Sequence, residues 1–194
     1  MRILYLYCHP LDDSFHAGIM REAVASLRAK GHEVDLCDLY AEGFDPVLTA
    51  ERRRNYHDVT KNQAGLEDHV RRLQNAEALV VQFPTWCFGL PAMLKGWFDR
   101  MLMPGVSFDL SDPKNVKPML TNIRHVIGIS TYGRPRWVAF YVGDPPRKII
   151  TRYLPRLMKA KARIEYHALY HMNIATLEQR QGFITRIKGV MERL

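Results

Sequence analysis

The sequence predicts an α/β fold in which five parallel strands alternate with helices that cover both faces of the sheet. Three observations carry this. Five short β-rich runs alternate with amphipathic segments, the pattern of right-handed βαβ units. The 194 residues are 47% hydrophobic and 25% charged, enough to bury a substantial core in one domain spanning 1–194. Between Gln82 and Arg100 an apolar run gives way to a loop of Pro, Gly and aromatics. Leu94, Trp97, Phe98 and Met101 then follow at helical spacing. Strand, loop and helix in that order build a ligand crevice at the carboxyl end of a parallel sheet.

Arg2 to Tyr7 reads as a buried strand. The turn Cys8-His9-Pro10-Leu11-Asp12-Asp13 follows, and Asp13 or Ser14 caps a helix with Ile19, Ala23 and Leu27 on its apolar face. Gly31 ends that helix. Glu33 to Leu39 is the second strand, and Tyr40 to Leu48 is irregular. Thr49 caps a short basic helix, and Leu66 to Gln74 forms the helix before the third strand, Ala78 to Phe83. The next helix has Pro91 in its first turn. Met103 to Pro118 and Thr131 to Pro146 read as long loops on either side of a fourth strand, Asn122 to Ser130. Arg147 to Ala160 reads as a helix that Pro155 kinks or splits. Ile164 to Tyr170 alternates as the fifth strand. Thr176-Leu177-Glu178-Gln179 fits a capping box opening a terminal helix that runs to about Arg193.

Composition narrows the function. The net charge of +8 is dispersed, with one run at Arg52-Arg53-Arg54 and no recognition-helix signature, so nucleic acid is not the expected partner. No apolar run approaches the ~20 residues of a membrane span. The start carries no signal pattern, and Cys8, Cys37 and Cys87 form no CxxC; both point to a reducing cytoplasm. His167 and His171, four residues apart on a strand, would lie about 13 Å apart, so no metal site is expected.

Three loops fall at the carboxyl ends of the strands. Ser14, Phe15 and His16 reach a helix N-terminus, whose free N–H groups favour a phosphate, and Ser14 adds a hydroxyl. Trp86 and Phe88 offer flat apolar surfaces, with Pro84 and Gly89 letting backbone approach a ligand closely. Cys87 reads as a small packing residue. Ser130-Thr131-Tyr132-Gly133-Arg134 presents hydroxyls and backbone donors to the carbonyl edge of a flat heterocycle. Nothing matches GxGxxG or a P-loop.

Residues 83–100, Phe-Pro-Thr-Trp-Cys-Phe-Gly-Leu-Pro-Ala-Met-Leu-Lys-Gly-Trp-Phe-Asp-Arg, resemble the signature of the flavodoxin-like NAD(P)H dehydrogenase (quinone) family. That family takes in DT-diaphorase, the modulator-of-drug-activity proteins and the ancillary subunits of glutathione-gated potassium efflux systems. His9-Pro10, Ser14-Phe15-His16, Asp38-Leu39-Tyr40, Phe44-Asp45-Pro46 and Ser130 to Gly133 extend the likeness over most of residues 1–145. The resemblance implies a three-layer flavodoxin-like fold with strand order 2-1-3-4-5. It implies a flavin cofactor, FMN or FAD, with NAD(P)H as co-substrate and a quinone as acceptor. It also implies two-electron hydride transfer by a ping-pong mechanism, in a homodimer whose interface lies near helix 91–101 or loop 103–118.

Carried over by position, Ser14, Phe15 and His16 would hold the flavin phosphate and ribityl chain, with His9 beside them. Pro84, Thr85, Trp86, Cys87 and Phe88 would line the isoalloxazine ring, and Ser130, Thr131, Tyr132 and Gly133 its pyrimidine side. The chain lacks the family's histidine in the loop after the fourth strand, which leaves Tyr141 as the candidate proton relay. Arg134, Arg136, Arg147 and Lys148 are candidates for selecting the extra phosphate of NADPH. Family members also imply two rival roles: a flavin-binding regulatory subunit that docks on a potassium efflux transporter, and a nitro- or azo-reductase.

Overall fold

The computed structural model describes residues 1–158 and 162–194. In chain order its elements are β1 (Arg2–Tyr7), α1 (Phe15–Ala29), β2 (Glu33–Asp38), α2 (Ala50–Asn55), α3 (Glu67–Asn75), β3 (Ala78–Pro84) and α4 (Ala92–Met101). There follow the two-residue pair β4 (Phe108–Asp109) and β5 (Lys117–Pro118), then β6 (His125–Thr131), α5 (Arg136–Tyr141), α6 (Pro145–Lys148), β7 (Arg163–Leu169) and α7 (Leu177–Met191). Five parallel strands form one sheet in the order β2-β1-β3-β6-β7, the expected 2-1-3-4-5 once the small β4–β5 hairpin is set aside.

Alternation along the strands builds the two faces. Ile3, Tyr5 and Tyr7 of β1 join Val80 of β3 and Ile127 and Ile129 of β6 in a layer against α1 and α7. Leu4 and Leu6, one residue out of phase, join Leu79, Val81 and Val126 under α3 and α4. All seven residues of β3 are buried, as a central strand covered on both faces requires. Among the described residues no helix is long and apolar enough to cross a membrane.

Several local expectations hold. Ser14 caps α1 by accepting from the Ala17 N–H, Gly31 (φ 78°) follows its last turn, and Thr49 caps α2. Thr176 and Gln179 close the capping box of α7. Other expectations change. Pro91 sits just ahead of α4, at its N-cap. The 131–146 stretch is not all loop: it holds α5, of which only Ala139 is buried, and α6. The 103–118 loop holds the β4–β5 hairpin. Pro155 does split its helix, since α6 passes into a wide turn at Ile149–Tyr153 and a tight one at Leu154–Leu157. The end of that expected helix, residues 159 and 160, lies outside the described residues.

The Phe44-Asp45-Pro46 loop is clamped onto α4. Arg100, almost wholly buried, donates to the Asp45 carbonyl and lies 5.0 Å from the Phe44 ring centroid. Gly96 makes the approach possible: a Cβ there would stand 2.3 Å from the Pro46 oxygen and 2.6 Å from its Cα. Those are backbone atoms that cannot swing away. Gly96→Ala is therefore expected to destabilise the fold by roughly 1–3 kcal/mol, despite alanine's better helix propensity. Gly182→Ala in α7, where nothing lies within 4 Å, is expected to gain ~0.5–1 kcal/mol. Urea midpoints of the two variants that move in the same direction would contradict this packing.

Candidate functional site

The site is assembled around a buried chain of polar groups. The Gln82 side-chain amide, at the end of β3, donates to the His16 carbonyl (2.6 Å) and sits 3.2 Å from His16 Nδ1. Its oxygen accepts from the Tyr5 hydroxyl of β1. His16 Nε2 lies 2.9 Å from Thr131 Oγ1 at the end of β6. Burial, and then the nearby His9, hold the His16 ring down at a pKa of about 3, so it is neutral near pH 7. The chain therefore fixes the N-terminus of α1 against the carboxyl ends of β1, β3 and β6.

Above it, the start of α1 is open. The Phe15 and His16 N–H groups lie in its first turn, where no helical partner exists, and find no other acceptor among the described residues. Among the described residues the buried Tyr7 hydroxyl lies beside Ser14 but makes no hydrogen bond of good geometry. Unmet donors at a helix N-terminus, next to an orphaned hydroxyl, fit an anionic group such as a flavin phosphate. Ser14 itself is spent, donating to the Leu11 carbonyl (2.9 Å) while it caps Ala17. His9 bridges the first two loops. Its ring stacks on His16 at 5.7 Å and tilts toward Trp86 at 6.1 Å.

The loop after β3 closes as a tight turn. Thr85 N–H donates to the Thr131 carbonyl (2.9 Å), and Gly89 N–H to the Trp86 carbonyl (2.8 Å). Cys87 and Phe88, between them, both take left-handed backbone (φ 49° and 55°), the signature of a type I′ turn normally built from Asn and Gly. A non-glycine residue in that region stores about 1 kcal/mol or more, and such strain collects at functional sites. Gly89 itself has ordinary φ, and the left-handed backbone falls one and two residues earlier. Cys87 is exposed rather than packed. Trp86 and Gly89 pair as an antiparallel bridge, whereas the Cys87 and Phe88 N–H groups between them have no acceptor among the described residues. Together with Thr85, Tyr132, Gly133 and Arg134, Cys87 and Phe88 line a cleft of about 150 Å³.

The third loop supplies backbone, not hydroxyls. Ser130 Oγ is 2.9 Å from Thr85 Oγ1, and Thr131 Oγ1 is held by His16. Tyr132 is buried. It donates to Asp144 (2.6 Å), touches the Tyr166 hydroxyl (2.7 Å) and stacks on Tyr170 at 4.7 Å. Burial first, then the Tyr166 charge and Asp144, push its pKa far up, so it stays protonated. Tyr132, Gly133 and Arg134 of this loop line the cleft, and Ser130 and Thr131 do not. Tyr141 is 85% exposed on α5 and is not among the residues lining the cleft, so the structure does not bring the candidate relay to the site.

Sequence reasoning missed Gln82 and Tyr7; a polar residue inside an otherwise apolar central strand was the available signal. It also treated His171 as part of a strand. β7 ends at Leu169 and His171 is left-handed (φ 60°), while His167 pairs with Glu165 at 3.1 Å. Among the described residues one group offers ligand atoms within 4.8 Å of one another, Cys37, Glu42 and His69. Arg72 already engages both oxygens of that Glu42, at 3.0 and 2.8 Å.

Residues 1–146 match the model of the Flavodoxin_2 family, described as a flavodoxin-like fold. The chain is 31% identical over 125 residues to the ribosyldihydronicotinamide dehydrogenase (quinone) of Pongo abelii, covering 56% of this chain and 54% of that protein. It is 32% identical over 144 residues to the uncharacterised NAD(P)H oxidoreductase YcaK of Escherichia coli K12, covering 74% and 65%. It thus spans about half the length of the first of these curated relatives. The crystal structure of Smu.1420 from Streptococcus mutans UA159 superposes with a TM-score of 0.87 at 27% identity, over 100% of both chains.

Burial of His16 has a pH consequence. Its pKa falls from 6.5 to about 3 on folding, so between those values the unfolded chain binds a proton that the native chain does not. Stability is expected to fall as pH drops through that window, by up to about 1.4 kcal/mol per unit from this group. His16→Gln keeps a hydrogen-bonding side chain but does not titrate. Its unfolding free energy, measured between pH 4 and 7, is expected to vary less steeply than that of the wild type; parallel curves would contradict a buried neutral His16.

Proposed function

The chain belongs to the Flavodoxin_2 family, and on that premise we propose that it is a flavin-dependent NAD(P)H:quinone oxidoreductase. The observation that carries the reading is the strained 86–89 turn. It leaves the Cys87 and Phe88 N–H groups without acceptors among the described residues, in the wall of a cleft whose neighbouring hydroxyls are all committed to the protein. A flat ring with carbonyl and imine acceptors along one edge suits such a wall. The likeness to a ribosyldihydronicotinamide dehydrogenase (quinone) and to the uncharacterised NAD(P)H oxidoreductase YcaK supports the same class.

In this reading each part of the site has one task. The Phe15 and His16 N–H groups and the α1 dipole hold the flavin phosphate, with the Tyr7 hydroxyl within the same corner. The Cys87 and Phe88 N–H groups orient the ring, and the Trp86 and Phe88 side chains shield one side of the slot from water. His9, whose pKa burial lowers, sits as a neutral ring between the phosphate corner and Trp86. The bound flavin supplies the two-electron chemistry. One slot serves reductant and acceptor in turn, which gives ping-pong kinetics. Three free thiols and no disulfide suit the cytoplasm. A homodimer belongs to the reading, and its interface must lie away from the apolar face of α4, because Trp97, Phe98 and Met101 are buried in the chain's own core.

Purified protein reconstituted with flavin is expected to be yellow and to oxidise NAD(P)H with a quinone, with parallel double-reciprocal lines. The mass of the released chromophore separates FMN from FAD. Trp86→Ala and Phe88→Ala are expected to raise KM for nicotinamide or quinone roughly tenfold while flavin content stays near wild type, consistent with the ~0.5–1.5 kcal/mol of an aromatic contact beyond its buried area. Colourless protein after reconstitution, with no NAD(P)H oxidation, would overturn the assignment.

A further inference from the structure

Three arginines from three separate elements converge on one cavity at the open edge of the sheet. Arg136 opens α5, Arg147 lies in α6 and Arg186 in α7. With Tyr166 and His167 of the outermost strand β7, and Tyr170 just past its end, they line a space of about 190 Å³. That is room for a phosphate group and part of its hydration.

The cavity carries positive charge that the protein leaves unbalanced. Among the described residues neither Arg136 nor Arg147 forms an ion pair. The Arg186 guanidinium donates to the Ala168 carbonyl at 3.2 Å and rests over the Phe183 ring, with no carboxylate partner. Of the nearby acids, Glu165 is paired and only Asp144 faces the arginines as an anion, one charge against three. Glu165 is shared between Arg163 (3.0 Å) and His167 (3.1 Å), and Asp144 accepts from Tyr132. Three like charges around one hole repel each other unless an anion joins them, and the guanidinium fork matches a phosphate bidentately.

The cavity also adjoins the candidate site. Tyr170, on its wall, stacks on Tyr132, which also lines the cleft beside Cys87 and Phe88. Arg134, grouped with the others in the sequence, belongs to the cleft instead.

We propose that the Arg136–Arg147–Arg186 cavity binds a phosphate monoester. Resting on the functional reading above, its source is the 2′-phosphate that distinguishes NADPH from NADH. All three arginines are exposed, so their replacement leaves the core intact. Flavin-loaded wild-type protein is expected to favour NADPH over NADH by tenfold or more in kcat/KM. Arg136→Ala, Arg147→Ala and Arg186→Ala are each expected to cut that ratio roughly tenfold, the scale of one charge-assisted hydrogen bond. Calorimetry with 2′,5′-ADP against ADP reads the cavity without turnover, so it still decides the matter if no NAD(P)H oxidation is found and the functional reading falls. Binding of inorganic phosphate that the three substitutions abolish, with equal use of NADH and NADPH, would uphold the cavity and assign it to a separate phosphate ester. Equal binding of 2′,5′-ADP and ADP, with phosphate binding absent or insensitive to all three substitutions, would overturn the proposal.

Discussion

The structure depends on one constraint: four polar side chains are buried where the sheet meets α1, and each must find a partner there. Tyr5, Gln82, His16 and Thr131 come from β1, β3, α1 and β6, and they satisfy one another in a single chain. An unpartnered buried polar group costs about 1–3 kcal/mol, so slipping any one of these elements by a residue strands several groups at once. Apolar burial alone tolerates many small shifts of a helix over a sheet; this chain tolerates few. It is what sets the open end of α1 at a fixed position over the carboxyl ends of the central strands.

The cleft follows from that placement. Because the hydroxyls of Ser130 and Thr131 and the ring of His16 are consumed in holding the frame, the surface left for a ligand is mostly backbone. Backbone donors are positioned by the fold rather than by rotamers, and they stay put when a ligand leaves. The left-handed pair at Cys87 and Phe88 is the cost of leaving those two N–H groups outside the protein's own hydrogen bonding.

Much of this was legible in the residues, for reasons that also explain what was not. The central strands β1, β3 and β6 could be read because strands covered on both faces are nearly continuous apolar runs, the edge strand β7 because it alternates, and α1 and α7 because Ser14 and Thr176 cap them. α5 escaped notice because its residues Arg-Trp-Val-Ala-Phe-Tyr bury only Ala139, which leaves no periodic apolar face to detect. The β4–β5 hairpin pairs two residues with two, too few for any alternation. At the site, residue types were informative and directions were not. Ser130 and Thr131 are adjacent in a strand, so their hydroxyls point to opposite faces, and which face meets a ligand is decided by the partners Thr85 and His16. Likewise glycine draws attention as the flexible residue, yet the turn places Cys87 and Phe88 where glycine would be expected.

The contact between Gly96 and Pro46 has a bearing on how this sequence can drift over time. Fifty positions separate the two, but α4 and the loop meet there with no room for a single added carbon. A lineage that acquires a side chain at 96 must already have moved the loop, and one that lengthens or reshapes the loop releases position 96 to vary. The two sites are inherited as one character, and the order in which their changes accumulate is not free.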